Sequence, residues 1–232
     1  MNERQKWVIN IVGSNGVGKS TRVTCLVEYL EMKFGKGETV IRTSFKTKKD
    51  EIIGTIYKSS IGNIFIHGAK NTRGIWVGLD NGYFPSYQSR YDLINNIFEE
   101  YDIDVYLQEG YFNNRSHAFT LEALRENGVK VDKVTEIITV YGNIDEYIKR
   151  CNERTGKNRD ESWALNSAGW NSNQGETKTK KRLLDEYKRG EIETEIIDGD
   201  MNDPRDFWVK FLFNENFDWS EKKENSNTLD DF

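Results

Sequence analysis

The sequence predicts an α/β domain in which a central parallel sheet is covered by helices on both faces. Three observations carry that expectation. A glycine-rich turn, Gly13-Ser14-Asn15-Gly16-Val17-Gly18-Lys19-Ser20-Thr21, joins an apolar run to an amphipathic one. Short apolar runs then alternate with stretches of helical spacing. The 232 residues suffice for one such domain with an insertion, and no internal repeat or long linker divides them.

The elements follow in order. Residues 7–12 form a mostly apolar run suited to a buried strand, and residues 22–34 carry Val23, Leu26, Val27 and Leu30 at helical spacing. Gly35 and Gly37 end that helix, and residues 38–43 read as a second strand. Three β-rich runs (52–57, 63–67 and 74–79) predict a small antiparallel insert at about 45–85. In the third run, alternation assigns Ile75, Val77 and Leu79 to the core and turns Trp76, Gly78 and Asp80 the other way. Residues 86–101 predict a helix, 103–110 a strand ending in Glu109-Gly110, 115–127 a helix, and 133–141 a buried strand. Asn143 with Glu146 marks the start of a helix to about Arg154, and a polar stretch leads into a basic helix over 177–189. A helical lid is expected at about 155–182. Residues 192–197 and 204–213 are a last strand and helix, so the domain spans 1–213. Residues 214–232 are expected to be an acidic, flexible tail.

Charge and cysteine usage add little about chemistry. Of the net charge of −5, residues 215–232 contribute −4, leaving a nearly neutral body that does not exclude an anionic substrate. Cys25 and Cys151 form no C-x-x-C pair and read as buried thiols, and two histidines make a zinc site improbable. No apolar run is of membrane-spanning length, and the first six residues lack the form of a signal peptide. The expected location is the cytoplasm, with no membrane partner.

The glycine-rich turn fits G-x-x-x-x-G-K-[ST] between a strand and a helix, the pattern of a phosphate-binding loop. Glycines let successive backbone N–H groups face phosphate oxygens, and the helix N-terminus adds its positive dipole end. Residues 13–21 would bind ATP, with Lys19 on the β- and γ-phosphates and the Ser20 hydroxyl on Mg²⁺. Glu109, at a strand end, would contact Mg²⁺ or orient an acceptor hydroxyl; Gln108 is a weaker candidate. Arg150 and Arg154, four apart on one helix face with Lys157 and Arg159 beyond, would neutralise a transferred phosphoryl group. The alternative is a solvated basic face paired with Glu146, Glu153 and Asp160. Asp80 is the preferred general base, with an Asp80-Asn81-Gly82 turn as the equal alternative and Glu109 next in line. Trp76 and Tyr83 are candidates for acceptor binding by stacking. His67 and His117 receive no catalytic role, and for Lys178, Lys180, Lys181 and Arg182 a solvated helix face is at least as good a reading as phosphate or nucleic-acid contact.

With these residues in hand, the chain resembles the P-loop nucleoside and nucleotide kinases over about residues 7–213. The glycine-rich loop, the Glu109-Gly110 strand end, Arg150 with Arg154 and Lys157, and Ile196-Ile197-Asp198-Gly199 fall in that family's order. The resemblance implies a three-layer kinase fold with a helical lid. The β-rich region with Phe65-Ile66-His67-Gly68 and Trp76-Val77-Gly78-Leu79-Asp80 is similar to bacteriophage P-loop DNA kinases. That similarity implies ATP- and Mg²⁺-dependent phosphorylation of the hydroxymethyl group of 5-hydroxymethyluracil in DNA, in the host cytoplasm. Alternatives are a deoxynucleoside monophosphate kinase, with Arg42, Arg73 or Arg90 on the acceptor side, and a 5′-hydroxyl polynucleotide kinase. A nucleotide-dependent switch is the non-enzyme alternative. The final Leu229-Asp230-Asp231-Phe232 resembles the acidic tips by which some single-stranded-DNA-binding proteins recruit replication partners; a solubilising tail is the default.

Overall fold

The computed structural model describes residues 5–13, 17–44, 48–78, 87–110, 120–139, 144–166, 176–199, 204–217 and 219, without the side chains of 87, 154, 165–166 and 176–180. The elements run β1 (Trp7–Val12), α1 (Lys19–Phe34), β2 (Glu38–Thr43), β3 (Asp50–Ser59), β4 (Gly62–His67), β5 (Ala69–Lys70), β6 (Trp76–Val77), α2 (Tyr87–Tyr101), β7 (Val105–Glu109) and α3 (Leu121–Glu126). They continue with β8 (Lys133–Ile138), α4 (Ile144–Thr155), α5 (Glu161–Asn166), α6 (Glu176–Lys188), β9 (Glu195–Asp198) and α7 (Pro204–Trp208), which a π-helical turn extends over Val209–Phe213.

Seven strands form one sheet in the order β2-β3-β4-β7-β1-β8-β9. β4, β7, β1, β8 and β9 are mutually parallel, while β3 runs antiparallel to both β2 and β4. β5 and β6 form a separate two-stranded antiparallel sheet. The parallel strands are buried on both faces, so β1 shows five consecutive buried residues rather than alternation. On one face Ile9, Ile11, Ile66 and Leu107 pack against Val23, Leu26 and Leu30 of α1 and Trp208 of α7. On the other, Val8, Phe65, Tyr106 and Val134 meet Tyr91, Ile94 and Phe98 of α2 and Leu121 and Leu124 of α3. The result is three layers.

The strand order matters for the site. Numbered in chain order, the five parallel strands lie 2-3-1-4-5, unlike the 3-2-1-4-5 and 2-1-3-4-5 arrangements of other open parallel sheets. β7 therefore lies directly beside β1, in the register Asn10 with Gln108 and Ile11 with Glu109. Both strands end on the same side.

Two expectations change. The runs at 52–57 and 63–67 were expected to form an insert with the third; instead they lie in β3 and β4 of the main sheet. Alternation reports which way side chains point, not which strand lies alongside, so it left that pairing undetermined. The short third run alone pairs outside the main sheet, with Ala69 and Lys70. The tail, expected to be unpacked from residue 214, holds Phe217 and Trp219 against Tyr29, at 4.9 and 6.2 Å between ring centroids, and Glu215 pairs with Lys33. Cys25 and Cys151 are buried and form no disulfide, as expected. Among the described residues no helix is long and apolar enough to cross a membrane. The Asn143 cap, the 115–119 helix start, His117 and the Leu229–Phe232 tip lie outside the described residues.

Candidate active site at the carboxyl ends of the strands

β1 delivers Gly13 to the carboxyl edge of the sheet, and α1 resumes at Lys19. Residues 14–16, the apex of the glycine-rich turn, lie outside the described residues. Its two ends are well defined. Gly13 has φ +153°, and a Cβ there would stand 2.2 Å from the carbonyl oxygen of Thr139, so only glycine fits. Gly18 caps α1 in the left-handed region, at φ 93°. Val17 packs with Tyr147 and Cys151 of α4 and Ala164 of α5, tying the turn to those helices.

The side chains around this turn converge. The buried Lys19 donates from Nζ to the carbonyl oxygen of Gly13 at 2.8 Å. Ser20 Oγ donates to Glu109 Oε1 at 3.0 Å, joining residues 89 apart in sequence. The same carboxylate oxygen accepts the backbone N–H of Gly78 at 3.1 Å. Gly78 is pressed against Glu109: a Cβ would lie 2.1 Å from its Cγ. Thr21 is half-buried in the first turn of α1. A Cβ at Gly18 would lie 3.2 Å from Nη1 of Arg22 and 3.6 Å from Nη2 of Arg150. Two guanidinium groups and Lys19 thus gather at a helix N-terminus whose first turn holds no acidic residue. A helix N-terminus already favours anions, and added cations there deepen a positive potential matched to one.

Arg22 went unrecognised in the sequence. It is buried, donating from Nη1 to the Val17 carbonyl at 3.3 Å and from Nη2 to the Gly199 carbonyl at 2.6 Å. Its own carbonyl accepts the Trp208 indole N–H at 2.7 Å. It clamps the glycine-rich turn to the segment after β9. A basic residue directly after G-K-S-T was the available signal, hidden because arginine is an ordinary helix former.

The acceptor-side candidates fare differently. Asp80 and Tyr83 lie outside the described residues, and the Arg154 side chain is undescribed, although its place in α4 shares a face with Arg150. Trp76 is corrected: it is 2 % exposed within the core, its N–H donating to Thr24 Oγ1 and its indole N–H to the His67 carbonyl. No ring face is open for stacking. β6 lies against α1, so the residue facing α1 is buried and Val77 takes the exposed side, the reverse of what alternation predicts. His67 is structural: buried, with Nδ1 2.9 Å from the Tyr106 hydroxyl. Burial, then the nearby Arg90 charge, lowers its pKa to about 3, so the ring is neutral.

For a cation, the residues that fit are Ser20 and Glu109. A hydroxyl and a carboxylate oxygen on a shared edge suit Mg²⁺, which takes its remaining ligands from water and phosphate rather than from a protein cage. Among the described residues no three His, Cys, Asp or Glu side chains gather as a metal-binding group. No family model, curated protein or solved structure matches the chain.

Proposed function

We propose that this protein is an ATP-dependent phosphotransferase acting on a hydroxyl of a nucleotide or nucleic acid. The hydroxymethyl group of 5-hydroxymethyluracil in DNA is the preferred acceptor, the site of action being the cytoplasm. The observation that carries the proposal is the convergence of Lys19, Arg22 and Arg150 on the acid-free N-terminus of α1, beside the Ser20–Glu109 pair. In this reading the α1 amides and Lys19 bind the triphosphate, Lys19 exchanging its bond to the Gly13 carbonyl for phosphate oxygens. The acceptor oxygen forms a bond to the γ-phosphorus, the bond from phosphorus to the β–γ bridging oxygen breaks, and ADP leaves. The acceptor's proton passes to a carboxylate, Asp80 by preference. Glu109 already accepts two hydrogen bonds on one oxygen, which suits holding and orienting better than moving a proton. Bound between Ser20 and Glu109, Mg²⁺ would neutralise charge on the β- and γ-oxygens. Arg150, carried on α4, offsets charge on the transferred group.

A deoxynucleoside monophosphate kinase is the second reading. It is favoured by Arg90, whose charge acts on His67 at the end of β4 and on Tyr106 of β7 and offers a cation for an acceptor phosphate. The test supplies γ-labelled ATP with deoxynucleoside monophosphates, 5′-hydroxyl oligonucleotides, or DNA containing 5-hydroxymethyluracil. Label on the base of polymeric DNA is expected; label confined to free monophosphates selects the second reading. Lys19→Ala should abolish transfer to every acceptor, and substantial residual transfer refutes the phosphate-loop chemistry. Slow hydrolysis with no acceptor stimulation would instead indicate a switch.

A further inference from the structure

A row of polar side chains crosses the sheet where apolar residues are expected. Asn10 of β1 is in register with Gln108 of β7 and Glu136 of β8. His67 of β4 follows Ile66, which pairs with Leu107, and so stands beside Gln108. In-register neighbours on parallel strands point to the same face, here the face away from α1. Two residues earlier on each strand, the same face carries Phe65, Tyr106, Val8 and Val134, the apolar row that α2 and α3 cover. The polar row is therefore the next step toward the carboxyl ends, the edge at which open α/β sheets bind ligands.

The row is buried but loosely satisfied. Its four members are between 2 % and 4 % exposed. Gln108 Nε2 donates to Asn10 Oδ1 at 3.3 Å, and Asn10 Nδ2 to Glu136 Oε1 at 3.5 Å, both long. Asn10 is the one hydrogen-bond partner of the Glu136 carboxyl among the described residues. Such a network is less stable than apolar filling unless further hydrogen bonds complete it. The residue that follows β7 is Gly110, which adds no side chain over the row; a Cβ there would lie 3.0 Å from Asn10 Oδ1.

The row is also uncharged. Burial pushes the Glu136 carboxyl up to about 8, and His67 is neutral for the reason given above. At neutral pH this leaves one carboxyl O–H donor at the end of a row of two carboxamides, each donor and acceptor at once. That inventory does not suit phosphate, which the α1 end already serves. It suits a neutral partner carrying N–H and C=O groups side by side.

We propose that Gln108, Asn10 and Glu136 form the floor of the acceptor subsite and hydrogen-bond the amide-like edge of an uncharged heterocycle, a nucleobase. The proposal rests on the phosphotransferase reading for its place in a reaction. The row and the Ser20–Glu109 pair reach the same carboxyl edge from opposite faces of the sheet, so a base held on the row would present its substituent across that edge.

The test is titration calorimetry of the four deoxynucleosides, 5-hydroxymethyl-deoxyuridine and inorganic phosphate against the full chain, with a non-hydrolysable ATP analogue held at saturation. At least one nucleoside should bind, inorganic phosphate should not compete with it, and Gln108→Leu should weaken it at least tenfold while the analogue's affinity stays within twofold. Glu136→Gln, nearly isosteric, keeps a donor and should change which base binds best; it serves if Gln108→Leu does not fold. Equal nucleoside affinities and base preference in wild type and both variants overturn the proposal, as does the absence of nucleoside binding or its competition by phosphate. Failure of the ATP analogue to bind wild type would instead overturn the phosphotransferase reading, with nucleoside binding to the row still read by the same variants.

Discussion

Gly78→Ala isolates the contact on which the Ser20–Glu109 arrangement depends. Gly78 is outside the left-handed region, so backbone strain plays no part and the effect is steric. The new methyl carbon would stand 2.1 Å from Glu109 Cγ, whereas carbon atoms rest at about 3.5–4.0 Å. Glu109 must therefore retreat by about 1.5 Å. Its bond to Ser20 is 3.0 Å, and a displacement of that size along it exceeds hydrogen-bond range. Overpacking costs about 1–3 kcal/mol, and a lost hydrogen bond to a charged group costs about 1.5–3 kcal/mol. A net destabilisation of about 2.5–6 kcal/mol follows, read as a fall of about 1–3 M in the urea midpoint. Nucleotide titration with and without Mg²⁺ should show the Mg²⁺-dependent gain in affinity reduced, with metal-free binding retained. A wild-type midpoint together with an unchanged Mg²⁺ effect would refute the reasoning.

Two further predictions concern the interior. Glu136 titrates near 8 in the fold and near 4.5 when unfolded, so its contribution is fully present below about pH 4.5 and is lost as pH rises toward 8. Glu136→Gln deletes that loss: its stability gain over wild type should grow between pH 5 and pH 8, to at most about 3 kcal/mol at neutral pH, and a pH-independent difference in urea midpoints would contradict it. Trp76→Ala should lower stability by about 3–5 kcal/mol as a core cavity, measured by urea unfolding; unchanged stability with weakened nucleoside binding would restore Trp76 to a stacking role.

The parts of this molecule legible in the sequence are local. Gly13 to Thr21 between an apolar run and an amphipathic helix, and an acid closing the 103–110 run, are read within a few residues because backbone geometry and periodicity act at that range. Tertiary structure decided the rest. Ser20 meets Glu109 because β7, not β4, is the neighbour of β1, a pairing between segments nearly a hundred residues apart that alternation does not encode. The same limit hid the membership of β3 and β4 in the main sheet, and it inverted Trp76 and Val77, whose exposure depends on α1 lying against β6. Asn10 and Glu136 stood visible as polar residues inside apolar strands, but that they form one row with Gln108 follows from register alone. A strand's sequence sets which side chains share a face; which strands lie beside it is set by the packing of the whole chain.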